Sequence, residues 1–145
     1  MAIDPINNWK NITERLRNLF RSEFGNTLPI YIGHETRNAG TQYLRIDPVS
    51  SEMIEYSKTY ELKEFTLNLF FYSSMKDVNK VMMDNITRIV SRIESLVHDN
   101  VNMTLDDSTV AYNCRVESTE LNTEEEEEKY VVTFDWKCLH RGNLS

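Results

Sequence analysis

The order of helix-like and strand-like apolar patterns along this chain constrains its fold more than any other feature. Apolar residues recur at helical spacing over Pro5–Phe24 and Lys76–Asn100. Three strand-like segments lie between these helices, and two more follow the second helix. Because each amphipathic element must bury its apolar side, the order α-β-β-β-α-β-β predicts a single α+β domain over residues 1–145. We expect a mixed, mainly antiparallel sheet of about five strands covered by two helices.

The two helices carry recognisable start and stop signals. Asp4 is suited to cap the first helix, Pro5 tolerates its first position, and Gly25 is suited to end it. Ser73 or Ser74 is suited to cap the second helix. About 25 residues at 1.5 Å rise make the second helix roughly 37 Å long, enough to cross a whole sheet.

The sequence predicts the strands of the first half with unequal clarity. Leu28–Ile32 predicts a short strand, and Pro29 places it at a strand start or an edge. Gln42–Ile46 alternates weakly, and Asp47-Pro48 predicts its end. The Ser-rich segment Val49–Lys58 predicts a surface loop.

The segment Thr59–Tyr72 shows the clearest strand pattern in this half. Four apolar residues fall on one face and polar residues on the other, which is typical of an antiparallel sheet with one covered face. The four are Phe65, Leu67, Leu69 and Phe71. Tyr60 and Leu62 have the opposite parity, which indicates a bulge near Lys63 or Glu64.

The last two strands, Val110–Ser118 and Tyr130–Leu139, predict a hairpin. If the connecting loop is centred near Glu124, Cys114 falls opposite Phe134 and not opposite Cys138. A cross-strand disulfide is therefore not expected, and both cysteines are predicted to be buried apolar residues.

The residue types offer little catalytic or ligand-binding chemistry. His34, His98 and His140 are scattered without metal-ligand spacing, and the four glycines form no phosphate-binding loop. A Cys–His nucleophile that uses His98 or His140 is formally available, but no local motif supports it. We expect no enzymatic activity, no cofactor and no metal. The apolar runs are too short to cross a membrane.

The net charge of −7 argues against gripping nucleic acid, because phosphate binding relies on clustered Lys and Arg. It is compatible with a surface that DNA slides past. The strongest charge run predicts either a solvated hairpin tip or a loop that faces DNA or a basic partner. Its residues are Glu124, Glu125, Glu126, Glu127 and Glu128.

Three other residues are candidates for contacts between subunits or with a partner. Trp9 lies near the chain start and serves either as a core anchor or as a partner contact. His34 and Arg37 lie in the polar segment Gly33–Thr41, which is either a solvated loop or an intersubunit arm.

Several segments together resemble the phage tail terminator family, also called tail-completion or minor tail proteins. The similarity covers nearly the whole chain and lies in the order of the helices and strands and in the residue types of a few segments, with no diagnostic motif. The segments are Asn8–Leu16, Leu28–Ile32, Lys58–Leu62, Thr87–Leu96 and Tyr130–Cys138.

The resemblance implies a virion structural protein that is made in the host cytoplasm and resides in the tail or neck. Its partners would be further copies of itself in a closed ring, with six copies implied, a tail tube protein, and a neck or head-completion protein. DNA would pass through the ring without specific binding. Identical subunits would meet head to tail, one patch against a different patch.

Other readings stay open beside this one. A head-closure or neck adaptor protein would also form a ring. A small α+β enzyme predicts a deep pocket with converging polar side chains. A binding module that adds a peptide to an open sheet edge predicts a stable monomer with an uncovered strand.

Overall fold

The computed structural model describes residues 7–33, 42–74, 80–124 and 129–143. The elements in chain order are α1 (Asn8–Phe24), β1 (Ile30–Ile32), β2 (Gln42–Tyr56), β3 (Tyr60–Ser74), α2 (Lys80–His98), β4 (Met103–Thr104), β5 (Val110–Glu124) and β6 (Lys129–Asn143). The strands form one six-stranded sheet in the order β1-β2-β3-β6-β5-β4. Among the described strands, β1 and β2 pair in parallel, and the other pairs are antiparallel. The predicted α+β class, with two helices on a mixed sheet, is confirmed, and β4 is a short additional strand.

Both helices pack on one side of the sheet, which we call the helix face. The predicted alternation of β3 is confirmed, since Phe65, Leu67, Leu69 and Phe71 all point into this core with at most 2% exposure. Ile86 and Ile93 of α2 join the same cluster. The other side, which we call the open face, carries no described helix and is lined mainly by polar side chains.

The ends of the helices differ partly from the prediction. Asn7 caps α1, and its side chain accepts a hydrogen bond from the Lys10 amide at 3.1 Å. Asp4 and Pro5 lie outside the described residues. Gly25 ends the helix as predicted, with φ of 58°. Ser73 and Ser74, the predicted caps of α2, are the last two residues of β3 and pair with Tyr130 and Lys129 of β6. The described part of α2 begins at Lys80, so the residues that would follow a cap at Ser74 lie outside the described residues and that cap stays a prediction.

The prediction that β2 ends at Asp47-Pro48 was wrong, as was the loop predicted over Val49–Lys58. The strand continues through Pro48 to Tyr56, because its partner β3 runs alongside it for the whole length. The described β1 ends opposite Ile46, so Pro48 lies on an edge where a missing N–H breaks no ladder. The irregularities lie on β2, at Pro48/Ser50 and Met53/Glu55, and not on β3, whose register with β6 is continuous.

The final hairpin is longer than predicted, and its register differs. Glu124 pairs with Lys129, so the hairpin centre lies beyond Glu124, and Thr119 stands opposite Phe134. The predicted pairing of Cys114 with Phe134 was therefore wrong. A bulge between Tyr112 and Arg115, with Asn113 at φ of 53°, turns Cys114 to the helix face beside Cys138. Both cysteines are free and buried, as predicted.

Candidate functional site: the open face and two sheet edges

Carboxylates outnumber cations on the open face of the described strands, as the pairing register shows. The carboxylates are Asp47, Glu52, Glu55, Glu64, Glu120, Glu124 and Asp135, and the cations are Arg45, Arg115, Lys129, Lys137 and Arg141. The face therefore has a net acidic character, in keeping with the net charge of the chain.

Arg115 is the centre of an ion-pair network across this face. Its guanidinium lies 3.1 Å from a Glu64 oxygen on β3 and 2.8 Å from a Glu117 oxygen on its own strand. Lys137 of β6 approaches Glu117 at 3.5 Å. The hydrogen bond from Arg115 lowers the pKa of Glu117 below its ordinary value. Both cations are thus neutralised by carboxylates of the same chain.

The remaining cations on this face are engaged by aromatic rings or carboxylates. Arg45 pairs with Asp47 at 3.0 Å and lies 4.8 Å above the Phe70 ring centre. Lys129 lies 5.8 Å from both the Tyr43 and Tyr72 ring centres. Arg141 stacks 4.1 Å above Tyr60 at the far end of the face. Such cation–π contacts hold the basic groups in place.

The two tyrosines form a second small core at the end of the open face near Lys129. Their rings stack at 4.6 Å, and each is only 8% exposed. Burial raises the pKa of Tyr72 above its ordinary value. The open face therefore has a rigid aromatic end and a charged, internally paired centre.

A polar cluster on the helix face pins the start of β5 to β6. His140 Nε2 lies 2.9 Å from Thr109 Oγ1, and Thr109 donates to Asp107 at 2.5 Å. Burial lowers the pKa of His140, against the opposing effect of the Asp107 and Glu61 carboxylates. His140 is 2% exposed, whereas Asp107 lies at the surface, so the cluster ties a buried imidazole to an exposed turn and serves as a structural link.

The adjacent thiols are buried as deeply as His140. Cys114 and Cys138 are 2% and 0% exposed. The hydrogen bond with Cys114, together with burial, raises the pKa of the Cys138 thiol above its ordinary value. A thiol of raised pKa is a poor nucleophile, which argues against Cys138 as the nucleophile of the Cys–His pairing considered from the sequence.

An open groove of about 630 Å³ lies between the end of α2 and the β5 bulge. His98, Asp99 and Asn113 are among its lining residues. Arg115, which also lines it, is already bound to two glutamates. Across the described segments, no group of three or more His, Cys, Asp or Glu residues is placed to hold a metal ion.

Two exposed sheet edges are features that the sequence analysis missed. The first is the outer edge of Asp47–Tyr56, which we call the β2 arm. Past Ile46 it has no partner strand among the described residues other than β3. Every residue from Pro48 to Tyr56 is exposed, including four large apolar side chains. These are Val49, Met53, Ile54 and Tyr56, with exposed fractions of 52%, 46%, 51% and 70%.

The second is the outer edge of Arg115–Glu124, which we call the β5 edge. The strand β4 covers only Val110 and Ala111 of β5. Residues Glu117–Glu124 are all exposed, and Leu121 is 46% exposed. The β2 arm and the β5 edge therefore lie at opposite lateral edges of the sheet and toward opposite ends of its strands.

The sequence-predicted site residues are only partly covered by these observations. Trp9 is half-buried and packs edge-on against Phe65 with ring centres 4.8 Å apart, as a core anchor would. Glu124 ends β5 opposite Lys129. His34 and Arg37 lie outside the described residues, as do Glu125, Glu126, Glu127 and Glu128, so their roles stay predictions.

No protein-family model matches the sequence, and no curated protein matches it. The fold is similar to solved structures. One is a chain that carries only a sequence identifier as its name, with a TM-score of 0.63, 10% identity, and 94% of each chain covered. Another is a chain from the virion of a native gene transfer agent particle, with a TM-score of 0.58 and 7% identity over 95% of this chain and 100% of that chain. At these identities the likeness concerns the fold alone.

Within the described part of the chain, neither helix is both long and apolar enough to cross a membrane.

Proposed function

We propose that this chain is a virion structural protein that ends a phage tail tube as a ring and joins it to the head or neck. The observation that carries the proposal is the fold similarity to a chain of a gene transfer agent virion, which spans 95% of this chain and all of that one. The resemblance of the sequence to tail terminators points in the same direction.

The two sheet edges support the assembly part of the proposal. A head-to-tail ring needs two different patches on each subunit. The β2 arm and the β5 edge are two such patches, since they lie at opposite edges of the sheet. The partners in this role are other copies of the chain, with six per ring expected, a tail tube protein, and a neck or head-completion protein.

The open face supports the expectation that DNA passes without being held. A surface grips DNA when its Lys and Arg side chains neutralise phosphates. Here Arg45, Arg115 and Lys137 already contact carboxylates of this chain. A ring with the open face inward would present an acidic, internally neutralised wall to the DNA. A role of this kind needs no catalysis, cofactor or metal.

The test is a comparison of particles made with and without this chain. Without a tail terminator, tube subunits continue to add, so we expect tails of abnormal and variable length. Antibody-labelled particles should carry the chain at the junction of tube and neck. Tails of normal length beside unattached, filled heads would instead show a head-closure or neck adaptor. Complete, infectious particles without the chain would overturn both virion roles.

A further inference from the structure

We propose that the β2 arm of one copy pairs antiparallel with the β5 edge of the next copy, with Met53 opposite Leu121. The inference deepens the proposed function, on which it rests for the claim that copies of this chain assemble. It names the partner of each edge and the register in which they meet.

The strand directions make this pairing antiparallel. Within one copy, β2 runs parallel to β6, while β5 runs parallel to β3 and therefore opposite to β2. When two copies lie side by side in the same orientation, the β2 arm of one approaches the β5 edge of the other in the antiparallel sense. Their exposed backbone groups can then continue the sheet, as in other cases of strand addition.

The register follows from the direction of the side chains. Between the two irregularities of β2, residues Ser50–Met53 alternate regularly, with Ser51 and Met53 on the helix face. On β5, Thr119, Leu121 and Thr123 point to the helix face. A shift of one residue sends every side chain to the wrong face, so only alternate registers continue both faces.

Charge selects among those registers. Moving Glu52 opposite Glu120 or Glu124 would place like charges face to face, which is destabilising. Moving it opposite Ser118 brings Met53 to Glu117, at the second irregularity of β5, where Glu117 is already bound to Arg115 and Lys137.

The remaining register avoids both problems. It sets Glu52 opposite Asn122, and it sets Met53 opposite Leu121, two apolar side chains that are each 46% exposed in the isolated chain. The pairs Ser51–Thr123 and Ser50–Glu124 complete the contact.

The pairing also displaces successive copies along the strands. Met53 is level with Lys63 of β3, whereas Leu121 is level with Val132 and hence with Phe71. The displacement is about eight residues, or roughly 26 Å at ~3.3 Å per residue. Tilted strands in closed barrels require a stagger between neighbours. In this arrangement β1 and β4 do not obstruct the pairing, because they cover other parts of β2 and β5.

Cross-linking of the full chain tests the register. Proteins carrying Met53→Cys and Leu121→Cys are mixed and oxidised with copper phenanthroline. The native cysteines are buried, so the introduced thiols are the reactive ones. We expect a covalent dimer of twice 17.1 kDa in the mixture. Met53→Cys mixed with Glu120→Cys is the matched control, because residue 120 points to the opposite face. Equal yields in the two mixtures would overturn the register.

A charge exchange tests the contact without cross-linking. Leu121→Asp should raise the apparent Kd of association by about tenfold or more, because a carboxylate replaces the apolar side chain that contacts Met53. Met53→Lys combined with Leu121→Asp should restore association through a cross-strand ion pair. Val110→Asp is the matched control. Val110 is 40% exposed on the same strand, but it pairs with Thr104 of β4 and lies outside the proposed interface.

The measurement is light scattering over a protein concentration series. Because both edges carry carboxylates, added salt should strengthen association of the unaltered chain by screening their repulsion. A strict monomer at every salt and protein concentration, or equal loss in the Leu121 and Val110 variants, would overturn the proposed pairing. The comparison of particles tests the virion role independently of this interface. If the chain is found at the tail junction but the Met53→Cys and Leu121→Cys variants do not cross-link, the virion role stands and the proposed pairing is wrong.

Discussion

Replacing Ile93 with alanine tests whether α2 is seated on the sheet as described. Ile93 is fully buried in the main core, whereas Met83 of the same helix is 37% exposed. The substitution removes roughly three carbon groups at about 0.8 kcal/mol each. The residual cavity adds to this, and such truncations cost about 2–5 kcal/mol in total. We therefore expect a loss of about 3 kcal/mol in the free energy of unfolding.

The assay is urea unfolding followed by tryptophan fluorescence, with Trp136 as a fully buried reporter. A loss of about 3 kcal/mol corresponds to a fall in Tm of roughly 10 °C for a chain of this length. Met83→Ala is the control, and its cost should stay below about 1 kcal/mol because an exposed residue loses little contact. If the two variants differ by less than about 1 kcal/mol, α2 does not pack on the sheet through Ile93.

Three further predictions concern the β5–β6 pair. Asn113→Gly should leave thermal stability equal or higher, while Asn113→Ala should cost about 1 kcal/mol in chemical unfolding, because glycine and asparagine tolerate a φ of 53° and alanine does not. Since burial lowers the pKa of folded His140, the unfolded chain binds this proton first as pH falls below about 6.5. Stability should therefore fall on acidification, and His140→Gln should flatten the fall of Tm between about pH 7 and pH 5; an unchanged slope would contradict the assignment. Cys114 and Cys138 should resist iodoacetamide in the native protein and react fully in urea, as mass spectrometry would show.

The segments with one buried face could be predicted from the sequence. The alternation over Phe65–Phe71 and the stripe through Ile86 and Ile93 reflect burial against a single core, and burial is what a periodic pattern records. Gly25 likewise marks the end of α1 because its backbone conformation favours glycine.

The two sheet edges could not be predicted, because their side chains are exposed on both faces. Neither the β2 arm nor the segment Glu117–Glu124 buries alternate residues, so neither carries a period of two. Bulges break what pattern remains: the one at Asn113 moved Cys114 from the expected position to the side of Cys138. The ion pair of Arg115 with Glu64 joins residues more than fifty positions apart, and spacing along a single sequence does not reveal it.

The β2 arm has a consequence for how the chain opens. Among the described strands its backbone pairs with β3 alone, and its side chains from Pro48 to Tyr56 are exposed, whereas the middle of β3 is held between two strands beneath the helices. Amide hydrogens that bond the arm should therefore exchange with solvent through local fraying, while those between Leu67 and Phe71 should await global unfolding. The edge can thus detach and re-pair as a separate cooperative unit. When the β2 arm changes its pairing at the surface of a neighbouring copy, the cost is then only the free energy of detaching the arm from β3, and the core stays folded.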